Sequence, residues 1–175
     1  MALLRALRAA LDNLYRIAGY TGAVFLVLIL FFVAVQMVAR WSGEIFVGAP
    51  DFTGYCMAAA SFLALPYTLN AGTHIRVNLL LNALGDRRKW LDIWCWIIAS
   101  FLSCSFAYYA AKLTYQSYIF NDISQGQDAW PIWIPQMSMA VGTIILAICT
   151  LDNLITILFT GKDNIRPIRT DQLAG

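Results

Sequence analysis

Few residues in this chain could take part in chemistry, and their spacing does not assemble a catalytic or metal site. The only histidine, His74, stands between Gly72 and Arg76 in the sequence Gly-Thr-His-Ile-Arg. A catalytic site needs a nucleophile, a base and an electrophile that converge, and no base lies near Ser61, Ser100, Ser103 or Ser105 in the sequence. The four cysteines form no Cys-x-x-Cys pair, so neither zinc binding nor thioredoxin chemistry is indicated. We therefore expect no enzyme activity, no cofactor and no metal in this chain.

The elements that carry these residues are predicted to be membrane-spanning helices. Of the 175 residues, 60% are hydrophobic and 13% are charged, and the mean hydropathy is +0.65. A soluble domain carries about 25% charged residues. A helix of about 20 apolar residues crosses the bilayer. The pattern predicts an all-α integral membrane protein with four transmembrane helices, at about 17–38, 52–69, 90–118 and 131–159.

Amphipathic or polar segments flank this four-span membrane domain, which covers residues 17–160. Residues 1–16 carry a leucine stripe beside a stripe with Arg5, Arg8 and Arg16, which is typical of an interfacial helix. A signal peptide is the competing interpretation, but the apolar run that follows is too long and lacks a cleavage site. A second surface helix is predicted at about 75–84, and residues 161–175 are predicted to form a polar tail.

Small residues recur every fourth position along span three, as Ala99, Ser103, Ala107 and Ala111. Such a ridge lets two helices approach closely, either within this chain or against a partner's helix. Gly54 and Ala58 in span two have the same spacing.

Charged residues within the spans are scarce. Lys112 near the end of span three is expected to reach the membrane interface, with a role in an ion pathway as the alternative. No acidic residue lies in the middle of a span, which argues against a self-sufficient carrier, and no histidine pair within the spans could hold haem.

The distribution of positive charge predicts the orientation. Ten of the twelve lysines and arginines precede span one, separate spans two and three, or follow span four. The exceptions are Arg40 and Lys112. The positive-inside rule therefore places both termini and the linker before span three in the cytoplasm.

The chain also resembles a known family. It has Ala-Leu-Pro-Tyr-Thr-Leu at 64–69, then Gly72-x-His74-Ile-Arg76-Val. The pair Gly54-Tyr55 precedes this stretch, and Trp130-Pro-x-Trp133-Ile-Pro135 opens span four. In these motifs the chain resembles the small membrane subunit, DctQ-like, of tripartite ATP-independent periplasmic (TRAP) transporters.

The resemblance implies a small, non-catalytic scaffold subunit in a bacterial inner membrane. Its expected partners are a large multi-span permease subunit, a periplasmic solute-binding protein and membrane lipids, with no nucleic acid. The resemblance implies uptake of an organic anion, such as a dicarboxylate, a keto acid or a sialic acid, with sodium bound in the large subunit. The alternative is a membrane anchor for a redox or other enzyme complex, which could use the same inert helices.

Candidate contacts with a partner or with lipid follow from the motifs and the ridge. His74 and Arg76 either contact lipid phosphates and helix carbonyls or brace a partner subunit. The full candidate set is Gly54, Tyr55, Gly72, His74, Arg76, Ala99, Ser103, Ala107, Ala111, Trp130, Trp133 and Pro135.

Overall fold

Four long helices make up almost all of the described chain. The structure, a computed structural model, describes residues 2–44, 48–71, 88–126 and 129–160. The helices are α1 (Ala2–Trp41), α2 (Ala49–Asn70), α3 (Arg88–Ile119) and α4 (Trp133–Thr160). Each contains a segment long and apolar enough to cross a membrane. These four helices in the described residues confirm the predicted all-α, four-span class, and the interfacial helices stay a prediction.

The predicted surface helix at 75–84, the tail at 161–175, and Gly72, His74 and Arg76 lie outside the described residues. The predicted N-terminal segment 1–16 and span one are parts of the single continuous helix α1 over the residues described. No break in the backbone separates them at residue 16, because leucine and alanine carry the helix across that point.

Local sequence signals explain where α2 begins and ends. Gly48 precedes it in a left-handed conformation (φ 87°), Pro50 lies in its first turn, and Asp51 follows. Proline has no amide hydrogen to lose there, and a carboxylate is favourable at a helix N-terminus. At the other end the amide of Ala71 donates to the carbonyl of Tyr67 (2.8 Å) and closes the last turn.

The helices form an open row in the order α1, α2, α4, α3. α2 packs against α1 on one side and α4 on the other, and α3 packs against α4. α1 touches α4 only over a short stretch. In the most apolar part of each helix, 44% of α4 residues are buried but only 6% of α1 residues. α4 is therefore the most buried of the four helices, while α1 leaves most of its surface uncovered.

The two ends of the row are named here by a residue at each. At the Trp130 end, α1 meets the start of α2 and α3 connects to α4. At the Asp152 end lie the beginnings of α1 and α3 and the ends of α2 and α4. Phe32 contacts Phe52 while Gly22 lies against Ala60, so α1 and α2 are antiparallel. Ser103 contacts Thr150 while Tyr118 contacts Trp133, so α3 and α4 are antiparallel too.

Candidate functional site

A glycine and a proline fix the contact between α2 and α4. Pro66 has no amide hydrogen, so the carbonyl of Phe62 lacks its regular helical donor. Gly142 of α4 lies directly against that carbonyl, since a Cβ built on Gly142 would be 2.6 Å from Phe62 O. The hydrogen in that position points at the carbonyl and can form a weak Cα–H···O contact. The bare backbone of α4 thus covers the polar group that Pro66 exposes.

A second close approach joins α1 to α2. A Cβ on Gly22 would lie 3.2 Å from the carbonyl oxygen of Ala60 and 3.3 Å from the amide of Ala64. The backbones of the two helices therefore meet with no side chain between them. Small residues at such crossings increase van der Waals contact, which is a main source of helix association in a membrane.

The small-residue ridge of α3 is used against α4 at Ser103. Its hydroxyl and that of Thr150 on α4 are 2.7 Å apart and buried. Ala107, one turn further along, is also buried, while Ala99 is half-buried. Ala111 is exposed and lines a groove of about 370 Å³ between α3 and α4. Packing within the chain, one of the two interpretations of the ridge, is therefore what the structure shows at Ser103.

Polar contacts at the Asp152 end tie α1 to α4. An Arg8 guanidinium nitrogen lies 3.4 Å from a carboxylate oxygen of Asp152, and another donates to the Thr156 hydroxyl at 3.4 Å. Next to this pair, Tyr15 is 1% exposed, and Asn153 donates from its amide to a carbonyl of α4 (2.8 Å). Since the pair is partly buried, it fixes the first turns of α1 against the last turns of α4.

The Trp130 end is held by aromatic stacking and one hydrogen bond. Phe52 at the start of α2 packs edge-on against Trp130, with the ring centroids 5.2 Å apart. The hydroxyl of Tyr55 donates to the hydroxyl of Ser124 in the loop at 2.6 Å. Trp133 packs edge-on against Tyr118 across α3 and α4 (5.5 Å). These contacts fix the loop that joins α3 to α4.

An isolated bridge closes the same loop. Residues Ile123 and Pro131 pair in antiparallel orientation, and the amide of Ser124 donates to the carbonyl of Trp130 at 2.7 Å. Backbone bonds of this kind give the loop a defined shape without a sheet.

Comparison with protein families identifies the fold as that of a transporter component. The model of the DctQ component of tripartite ATP-independent periplasmic transporters matches residues 29–160, well over half of the chain. The chain belongs to the DctQ family. Comparisons with curated proteins and with solved structures gave no match. The family match confirms the resemblance found in the sequence, and with the four apolar helices it makes this DctQ protein a multi-pass membrane protein.

The family motifs of this DctQ protein fall largely at the two ends of the row. Tyr55, Trp130 and Trp133 meet their packing partners at the Trp130 end. Pro135 lies in the first turn of α4, where its carbonyl accepts a hydrogen bond from the Ser138 hydroxyl at 2.6 Å. None of these described side chains forms part of a metal-binding group, since the described residues hold no cluster of three His, Cys, Asp or Glu side chains.

Gly54 lies on an exposed side of α2, where an added Cβ would meet no atom of the described residues within 4 Å. The close approach that its spacing from Ala58 permits is therefore not made to a described helix, and its contact with a partner or lipid stays a prediction. The close approaches of this DctQ protein lie instead at Gly22 and Gly142, which the sequence analysis did not select. Each is a glycine deep inside an apolar span, which costs about 1 kcal/mol of helix propensity and is itself a signal of packing.

The polar contacts at the Asp152 end were also missed. Arg8 was interpreted only as a residue beside lipid phosphates. An arginine and a late-span aspartate, Asp152, in an otherwise apolar chain are candidates for mutual pairing because a buried charge needs a partner. Nothing in the spacing shows, however, that the first turns of α1 reach the last turns of α4.

Proposed function

We propose that this chain is the non-catalytic scaffold subunit of a TRAP transporter that imports an organic anion. Its partners in this proposal are a large multi-span permease, which carries the substrate and sodium, and a periplasmic solute-binding protein. The small subunit anchors the fixed part of the permease in the bilayer while the transport part moves.

The observation that carries this proposal is the open row of helices. A carrier or channel surrounds its substrate path with polar groups inside a closed arrangement. Here the described acidic side chains lie towards the helix ends, and the centre of the row holds hydroxyl groups that bond to one another or to their own backbone, as at Ser103 and Thr143. The long faces of α1 and α3 remain uncovered. Such a row offers a broad surface to a neighbour and no path through itself.

The contacts between the helices are those expected of a rigid scaffold. The backbone crossings at Gly22 and Gly142 leave no flexible side chain between the helices. The ion pair of Arg8 with Asp152 and the rings of Phe52 and Trp130 fix the two ends. A transport domain that moves across the membrane exerts force on the scaffold beside it. If the scaffold is rigid, only the transport domain changes position.

The orientation follows from the charge distribution. We place the Asp152 end in the cytoplasm and the Trp130 end in the periplasm, with both termini inside. Trp41, Tyr118, Trp130 and Trp133 then form the outer aromatic belt, which resists displacement along the membrane normal. The shaped loop at Trp130 is the described surface that we assign to contact with the solute-binding protein.

Deletion of this chain from cells that keep the permease and the binding protein tests the proposal. Uptake of the organic anion should fall to background, and the affinity of the purified binding protein for its ligand should not change. Restoring the wild-type chain on a plasmid should restore uptake. Full uptake without the chain would refute the scaffold function, and transport by the chain alone in vesicles would refute its non-catalytic nature.

Fusion reporters test the orientation separately. A reporter that fluoresces only in the cytoplasm should be active at either terminus and inactive in the loop 120–132. A reporter that is active only in the periplasm should show the reverse pattern, and activity at a terminus would overturn the assigned orientation.

A further inference from the structure

One face of α3 carries a cluster of exposed polar side chains within the span. Tyr108 and Tyr109 are each 64% exposed, and Lys112 and Gln116 on the following turns are also exposed. At 100° per residue these four lie within one side of the helix, which we call the tyrosine face. It is opposite the side that buries Ser103 against α4.

The two tyrosines lie near the middle of the membrane. Tyr118 packs edge-on against Trp133 and therefore marks the level of the Trp130 end of the row. Tyr109 and Tyr108 precede Tyr118 on the same helix by nine and ten residues, which is about 14–15 Å along the axis. The hydrocarbon layer is about 30 Å thick. The 22 residues of α2 give this helix a length of about 33 Å, close to the thickness of the hydrocarbon layer. The tyrosine hydroxyls are therefore about half-way across.

These polar groups have no hydrogen-bond partner within the described parts of the chain. The Tyr108 and Tyr109 rings pack edge to face at 5.4 Å, which orients both side chains, but neither hydroxyl bonds to a described residue. No described carboxylate pairs with Lys112 either. A hydroxyl in hydrocarbon without a partner is unfavourable, and a lysine within a span either extends to the interface, which the sequence predicts for Lys112, or pairs with an acidic group. Tyrosines normally lie at the membrane interface, where the hydroxyl reaches water.

Comparison with α1 sharpens the contrast. Val24, Val27 and Phe31, which α1 exposes in its span, carry no polar group. The exposed polar side chains within that span, Tyr20 and Thr21, lie closer to the Asp152 end, and the Thr21 hydroxyl donates to the carbonyl of Ile17 at 2.8 Å. The apolar surface of Val24, Val27 and Phe31 is well solvated by lipid tails. The tyrosine face is the poorer match to lipid although it is equally exposed.

We infer that the tyrosine face contacts a transmembrane helix of the large permease subunit. That helix carries hydrogen-bond acceptors at mid-membrane depth and a carboxylate level with Lys112. This inference rests on the proposed function and adds to it the face and the chemistry of the contact. The unpaired cation supplies the charge complementarity, since a carboxylate is the group that lowers the free energy of an ammonium in a membrane.

A second copy of this chain does not fit the same face. In a dimer with a two-fold axis along the membrane normal, the two tyrosine faces would meet. Each residue would then lie at the same depth in the membrane as the same residue of the other chain. Lys112 would then face another Lys112, and like charges repel strongly in a medium of low dielectric constant. A heterologous partner with the opposite charge avoids this repulsion.

Co-purification of the chain with the permease tests the inference. The double variant Tyr108→Phe/Tyr109→Phe keeps both rings and removes only the hydroxyls, and Lys112→Met removes only the charge. Matched controls are Tyr20→Phe and Arg40→Met, both at exposed positions on α1. We expect the double variant and Lys112→Met each to weaken the association about tenfold, since the first removes hydrogen bonds and the second a charge pair within the membrane. The controls should match the wild type.

Photocross-linking gives a readout that does not depend on the stability of the variants. A photoreactive phenylalanine analogue in place of Tyr109 should form an adduct with the permease, and the same analogue in place of Val24 should form adducts with lipid. The thermal unfolding of the isolated Tyr108→Phe/Tyr109→Phe chain should equal that of the wild type, because both side chains are exposed.

The outcomes separate this inference from the proposed function. If the wild-type chain does not co-purify with the permease, the scaffold proposal fails and the inference fails with it. If the wild type co-purifies but the hydroxyl and charge variants do so equally well, only the inference fails. Adducts at position 109 with lipid alone, or with a second copy of the chain, would also overturn it.

Discussion

Replacing Gly142 by alanine should loosen the contact between α2 and α4. The added Cβ would lie 2.6 Å from the carbonyl oxygen of Phe62 and 2.7 Å from its carbonyl carbon. Cβ atoms essentially never approach another heavy atom within 3.0 Å. Both obstructing atoms are backbone, so no rotation of a side chain can relieve the clash. The two helices must therefore separate by at least about 0.4 Å where they cross.

The expected cost follows from two opposing effects. Overfilling a packed contact costs roughly 1–3 kcal/mol, and losing the Cα–H···O contact costs about 0.5–1 kcal/mol more. Alanine stabilises the helix by about 1 kcal/mol relative to glycine because it is the better helix former. The net loss of stability for Gly142→Ala is therefore about 0.5–3 kcal/mol, and Gly142→Leu should prevent assembly of α2 with α4 altogether.

Thermal unfolding of the purified chain in detergent measures this effect, with Gly54→Ala as the matched control. A Cβ at Gly54 meets no atom within 4 Å, so that variant gains helix propensity with no clash. The unfolding midpoint of Gly142→Ala should fall below that of Gly54→Ala by roughly 2–4 °C for each kcal/mol. Equal midpoints would refute the argument that the backbone of α4 touches the carbonyl freed by Pro66.

Three further substitutions test the other contacts. Ser103→Ala should lower stability by about 1 kcal/mol because it removes the buried hydrogen bond to Thr150; an unchanged midpoint would mean that this bond contributes nothing. Arg8→Met leaves the partly buried Asp152 carboxylate unpaired, so the first turns of α1 should become sensitive to protease, at a cost of about 1–3 kcal/mol. Protection equal to that of the wild type would show that the ion pair does not hold α1. Tyr55→Phe removes the hydrogen bond to the loop 120–132, so proteolytic cleavage within that loop should become faster. The free energy of unfolding of the chain should change by less than about 1 kcal/mol.

The aromatic residues of the family motifs are the candidates for which sequence and structure agree most closely. Trp130, Trp133 and Tyr55 were chosen from family motifs, and the structure gives each of them a specific partner at the Trp130 end. The same approach could not place Gly54, because a glycine spacing shows that close approach is permitted and not which neighbour uses it. For Gly72, His74 and Arg76, the two interpretations remain predictions.

Helix pairing was beyond the reach of the sequence because the spans are apolar on all sides. In a soluble helix the apolar stripe shows which face is buried. In α2 apolar residues surround the axis, so its rotation against α1 and α4 leaves no periodic signal. Glycine and proline inside an apolar span are the remaining clues, and Pro66 and Gly142 turn out to meet.

The sequence by itself determined that this is a four-span membrane protein of the DctQ family. It could do so because the thickness of the bilayer dictates the length of each apolar segment, and because the family motifs are local. Only the tertiary structure decided that the helices form an open row in which α4 is the most buried, and that a tyrosine face of α3 is left uncovered. The physical reason is that contacts between backbones, such as Gly142 with Phe62, depend on how helices far apart in the chain are rotated and offset, which no local pattern records.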